Sequence, residues 1–160
     1  MAEDDSLALV ARLLERMAGR GWRLAAAESD TGGVLLDWLT AAPGSSRVVL
    51  GGVVAYHDHL KRSLLGVEPA VIERQGAVSA AVAEAMAEGM RRVADADVAL
   101  ATTGISGPAG ATAAKPVGLA YVAVATPAGT RSAEHRWQGD RAANRRANAR
   151  AVVELALSLL

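Results

Sequence analysis

Apolar residues recur along this chain in two rhythms. In "LALVARLLERMAG" Leu7, Val10, Leu14 and Met17 fall on one helical face, with Asp5 or Ser6 able to cap the helix and Gly19 and Gly21 to end it. "WRLAAAE", 22–28, is short and apolar enough for a buried strand, and "GGVLLDWLT", 32–40, returns to a helical rhythm. After the turn "APGSSR", the run "VVLGGVVAY", 48–56, predicts a second strand, apolar throughout as in a covered sheet. "HDHLKRSLLG" and "PAVIERQG" predict short helices, and Ser79 caps a long one over "AAVAEAMAEGMRRVAD". "ADVALATTGIS", 96–106, predicts a third strand entering a glycine-rich loop. "PVGLAYVAVATPAGTRSAEHRWQG" reads as two strands about Pro127-Ala128-Gly129, and Asp140 caps a last helix running to Leu160.

Strands alternate with helices early and a hairpin follows late. The fold class expected is a single α/β domain over 1–160, a three-layer α/β/α sandwich with a mixed, mostly parallel sheet and a late antiparallel hairpin. In such sheets ligands gather beyond the carboxyl ends of strands. Three predicted strands end in polar stretches, "ESDTGG", "YHDHLK" and "TTGISGPAGATAAKP". Their convergence would make one site.

Composition narrows the chemistry. Half of the 160 residues are hydrophobic, with no Phe, two Tyr and three Trp, so the core must be built from Ala, Val and Leu. Formal net charge is zero, which gives no general attraction to nucleic acid or acidic membranes. Cysteine is absent, excluding disulfides, thiolate metal sites and a Cys nucleophile. The opening "MAEDDSLALV" is acidic where a signal peptide is basic, and no apolar run has the length of a membrane span. A soluble, cytoplasmic protein is expected. Of 17 basic residues only Lys61 and Lys115 are lysines, and both lie in the polar strand-end stretches. Arg replaces Lys at solvated positions but not where a proton must be lost.

Ser29 follows the first strand. Locally it suits a helix cap, but Asp30 or Thr31 could cap equally well, and the amides of Gly32 and Gly33 could then receive a phosphate or an oxyanion. Tyr56 ends the second strand and Lys61 lies five residues on, about one helical turn along. Ser29, Tyr56 and Lys61 together make a nucleophile with a possible amine base. His57, Asp58 and His59 could be offered to a metal, but i and i+2 spacing suits two ligands only on a strand, no third ligand is evident, and solvated histidines are the expectation. "GISGPAG" has neither Walker A nor Gly-x-Gly-x-x-Gly spacing. Arg141, Arg145 and Arg146 open the last helix, a mostly solvated face from which one could reach an anion.

"AESDTGG", "GGVVAYHDHLK", "LLGV", "GAVS", "TGISGPAGATAAKPVG" and "GDRAANR" occur in an order that resembles the C-terminal domain of the CinA (competence/damage-inducible) family, over nearly the whole chain. That family includes stand-alone nicotinamide-nucleotide amidases, and the sequence resembles the stand-alone form. The resemblance implies hydrolysis of nicotinamide mononucleotide (NMN) to nicotinate mononucleotide and ammonia, in pyridine nucleotide salvage. It places Ser29 on the Ser of "ESCTGG", Tyr56 and Lys61 on "YSNxxK", and Thr103 through Gly118 on "TGIAGPxGGxxxKPVG". Three departures stand out: Asp30 for the usual Cys, His57-Asp58 for Ser-Asn, and Ala111 for a glycine.

The expected site is therefore catalytic Ser29, Tyr56 and Lys61, with Thr31, Gly32, Gly33, Thr103, Gly104, Ser106, Gly107, Lys115 and Arg141 binding substrate and its phosphate. Neither metal nor other cofactor is expected. The expected partner is a small nucleotide, with no nucleic acid and no membrane, and the expected assembly is a homodimer. Asp30 would cap the helix after Ser29, offsetting a charge that would otherwise repel a phosphate. A non-catalytic nucleotide-binding paralog, or an amidohydrolase acting on a different amide, fits the same residues.

Overall fold

The computed structural model describes residues 3–160, with side chains from residue 5, so Met1 and Ala2 of the acidic opening lie outside the described residues. In chain order the elements are α1 (Glu3–Arg20), β1 (Leu24–Glu28), α2 (Val34–Ala41), β2 (Val49–Val54), α3 (Asp58–Leu65), α4 (Pro69–Gln75), α5 (Ala80–Ala94), β3 (Val98–Gly104), β4 (Leu119–Thr126), β5 (Gly129–Arg136) and α6 (Arg141–Leu159). The strands form one mixed sheet in the order β2-β1-β3-β4-β5. β1 pairs in parallel with β2 and β3, β4 is antiparallel to β3, and β5 is antiparallel to β4.

Two details differ from the sequence reading. Helix α1 begins at Glu3, so Asp5 and Ser6 lie inside it rather than capping it. Acidic residues in a first turn suit the positive pole of a helix, which lets it start earlier than the apolar stripe does. Strand β2 is not covered on both faces. It is an edge strand, with Leu50 and Val54 about two-fifths exposed.

Side-chain size alternates across the sheet. Leu24, Ala26, Val98, Leu100, Val122 and Val124 face a core built with α1, α2 and α6. Ala25, Ala27, Ala99, Ala101, Ala123 and Ala125 face the other way, onto α5. A nearly pure alanine face lets α5 lie close to the sheet, and its own inward residues include Ala83 and Ala87. This is where the alanine content goes, and why no aromatic cluster is needed. Helix α3 then packs on α5, with Leu65 buried in the same core and the backbone of Gly89 against the Leu65 carbonyl.

A Cβ at Gly89 would overlap the Leu65 carbonyl oxygen, which is backbone and cannot rotate away. Gly89→Ala is therefore expected to lower stability by about 1–3 kcal/mol, the usual penalty of overpacking, despite the better helix propensity of Ala. Urea denaturation checks this. Gly19, in a helix with nothing within 4 Å of its added Cβ, is the control and should gain from the same change.

Candidate active site

The carboxyl ends of the adjacent parallel strands β2, β1 and β3 open on one cavity of about 280 Å³. Ser29, Asp30, Tyr56, Asp58, Lys61, Thr103, Gly104, Ser106 and Arg141 are among its lining residues. β1 delivers Ser29, whose amide donates to the Thr102 carbonyl at 3.1 Å and keeps it in register with β3.

The turn after Ser29 is organised by Glu28, which is fully buried. Its carboxylate accepts from Thr31 Oγ1 (2.5 Å), from the amides of Gly33 (3.0 Å) and Leu35 (3.1 Å), and from Leu36 N (2.8 Å). The three amides are orphan donors at the start of α2, so the helix pole expected to hold a phosphate or an oxyanion already holds a protein carboxylate. Thr31, Gly32 and Gly33 accordingly stand apart from the cavity: Thr31 is fully buried, Gly33 serves Glu28, and the Gly32 amide donates to Ser29 O at 3.2 Å. Neither Ser29 nor Asp30 caps α2; its N-cap residue is Gly33, in the left-handed region at φ 104°.

Asp30 turns the opposite way. Its buried carboxylate accepts from Ser106 Oγ (3.0 Å) and from Asn148 Nδ2 (3.0 and 3.2 Å to its two oxygens). Burial pushes its pKa above the ordinary carboxylate value, against the lowering effect of these hydrogen bonds. Gly104 is required here, since a Cβ would come within 2.7 Å of Asp30 Oδ2.

Helix α6 braces the turn with residues at i, i+3, i+4 and i+7. Arg141 donates to the Gly107 carbonyl (2.7 Å) and to Tyr56 OH (3.3 Å). Asn144 Nδ2 donates to Ser106 O (3.1 Å). Arg145 donates to the carbonyls of Asp30 (3.0 Å) and Thr31 (2.8 Å), and Asn148 holds the Asp30 carboxylate.

On the other side of the cavity Lys61 is 1% exposed. Its ammonium donates to the Tyr56 carbonyl at 3.1 Å and lies 3.5 Å from Asp58 Oδ1. Desolvation lowers its pKa from the ordinary lysine value, opposed by Asp58, Asp30 and Tyr56. Tyr56 itself is well exposed, its ring at the cavity mouth. His57 caps α3 by accepting from the His59 amide at 3.1 Å, and among the described residues no group of three His, Cys, Asp or Glu side chains could hold a metal.

Lys115 is not beside the cavity. Its ammonium donates to the carbonyls of Gln75 and Val78 (2.6 Å to the latter), strapping the glycine-rich loop to the α4–α5 connection. Thr103 Oγ1 ties the same connection through Ala77 O at 2.9 Å, and Ala77 and Val78 thereby become cavity wall. Of the twelve residues singled out from sequence, Ser29, Tyr56, Lys61, Thr103, Gly104, Ser106 and Arg141 share the cavity. Gly107 contributes a carbonyl to Arg141, while Thr31, Gly32, Gly33 and Lys115 build the surrounding backbone. Sequence reasoning missed Glu28, Asp58, Asn144, Arg145 and Asn148 as supports. A signal for the two asparagines existed: they extend the stripe of Val152 and Ala156 at four-residue steps, polar residues on a buried helical face.

Among the described residues no helix is long and apolar enough to cross a membrane. The CinA C-terminal domain matches residues 6–160. A CinA-like protein of a Synechococcus strain is 52% identical over 140 residues, covering 88% of this chain and 33% of the relative. One from an Anaeromyxobacter strain is 48% identical over 133 residues, covering 83% and 32%. The chain thus spans about a third of the length of these curated relatives. Among solved structures, a competence/damage-inducible protein from Agrobacterium tumefaciens superposes with TM-score 0.94 at 37% identity, covering 97% of this chain and 95% of that one. A CinA superfamily protein from Escherichia coli gives 0.95 at 34%, covering 100% and 94%.

Glu28→Gln should be destabilising by about 1–3 kcal/mol even though it is nearly isosteric, because one acceptor oxygen becomes an amino group facing backbone donors. Thermal and urea unfolding measure it. A neutral result would mean that the four donors find other partners.

Proposed function

We propose that this chain, which belongs to the CinA C-terminal domain family, is a metal-independent amidohydrolase acting on NMN, with Ser29 as nucleophile and Lys61 as base. The observation that carries this reading is a lysine 1% exposed in the same cavity as a strand-end serine, its amine lowered toward the neutral form by desolvation.

In this mechanism neutral Lys61 takes the Ser29 proton, directly or through Tyr56, and Ser29 Oγ attacks the carboxamide carbon. Because the amides of Gly32 and Gly33 are taken, the tetrahedral oxyanion falls to the loop after β3. The Ser106 amide has no backbone partner among the described residues, and Ser106 is one of the cavity's lining residues. Losing such a donor would raise the barrier by about 3–4 kcal/mol. Ammonium Lys61 gives its proton to the carboxamide nitrogen as the C–N bond breaks, so that ammonia leaves, and water, its proton passing through neutral Lys61 to Ser29 Oγ, then cleaves the acyl-enzyme. Arg141, at the cavity mouth beside Tyr56, is the cation placed to meet the substrate phosphate. Lys115 is left out of substrate binding because it lies outside the cavity, its ammonium set on the carbonyls of Gln75 and Val78.

Purified protein with NMN should release ammonia and nicotinate mononucleotide, and should continue to do so after exhaustive chelation. Ser29→Ala should reduce kcat at least about a thousandfold without unfolding the chain. Lys61→Arg should fall nearly as far as Lys61→Ala, since guanidinium stays protonated. The wild-type rate should rise with pH as Lys61 loses its proton, and the buried amine brings that rise below the ordinary lysine range. Substantial turnover by Lys61→Arg would remove Lys61 as the base.

A further inference from the structure

Asp30 and Ser106 lie 76 positions apart in the chain and meet in the cavity wall. Ser106 Oγ donates to Asp30 Oδ2 at 3.0 Å, and both side chains are buried and line the cavity. Asn148 approaches the same carboxylate only as a donor, while its own Oδ1 is buried with no partner among the described residues. The two side chains that meet the carboxylate both do so as donors.

A serine hydroxyl has one proton and two lone pairs. With the proton directed at Asp30, Ser106 has only lone pairs left for the cavity. A ligand group at that point is favoured if it brings an N–H and disfavoured if it brings a carboxylate oxygen. We infer that Ser106, oriented by Asp30, is a specificity-determining acceptor that selects a carboxamide N–H over the corresponding carboxylate. This rests on the reaction proposed above, in which the amide is substrate and the acid is product. The pair would then favour the substrate's entry and the product's release.

The test is calorimetric binding of NMN and of nicotinate mononucleotide to the Ser29→Ala protein, where no turnover interferes. The amide should bind about tenfold or more tightly than the acid, the worth of one hydrogen bond. Adding Ser106→Ala should bring the ratio close to one by weakening the amide and relieving the acid, whereas Ser106→Thr, which keeps the hydroxyl, should preserve it. Asp30→Asn should also lower the ratio although Ser106 is intact, with circular dichroism confirming the fold of each protein. An unchanged ratio in Ser106→Ala, or a parent protein that prefers the acid, overturns the inference and leaves the proposed reaction standing. Failure of NMN to bind the Ser29→Ala protein overturns the proposed reaction, and the inference with it.

Discussion

A carboxylate buried at the start of a helix settles the direction of everything that follows it in the chain. Glu28 sits at the last position of the central parallel strand and takes up the open donors of α2. With that pole filled, the two residues between Glu28 and Thr31 cannot cap the helix. They face the cavity, Ser29 beside the ends of β2 and β3 and Asp30 toward the last helix. An unpaired buried carboxylate would be strongly unfavourable, and four donors to its two oxygens are what make this one tolerable.

The alanine face of the sheet has a comparable influence on Lys61. Because α5 sits close, α3 can pack onto it rather than onto the sheet, with Leu65 in the shared core. That arrangement carries Lys61 inward four residues before Leu65, to where the Tyr56 carbonyl and Asp58 meet its ammonium. The depressed basicity of this amine thus originates in small side chains on a distant strand face as well as in its immediate neighbours.

The sequence was legible where one residue's pattern reports one element. The strand end at Glu28, the caps Ser79 and Asp140 and the late hairpin fall where alternation and cap chemistry put them, while β2 and β3 each close two residues before the ends at Tyr56 and Ser106 read from the sequence. The gathering of Ser29, Tyr56 and Lys61 followed from strand ends that share one edge. Residues whose role depends on a partner far along the chain were illegible. A glutamate ending a strand does not announce that it will bend back to a helix, and Lys115 looks like a ligand contact until the carbonyls of Gln75 and Val78 are beside it. The edge position of β2 was likewise hidden, because its apolar run is the same whether one neighbour or two will pair with it.

The polar stripe of α6 reaches back across the chain: Arg145 and Asn148 grip residues 114 to 118 positions earlier. Contacts of such long range close late in folding, since the intervening chain must be ordered first. The Ser29 turn, although complete in sequence by residue 33, therefore acquires its final shape only once the helix beginning at Arg141 docks. During synthesis on a ribosome the cavity would stay unformed until nearly all of the domain had emerged, so that a nascent fragment carrying Ser29 and Lys61 does not yet hold them in one wall.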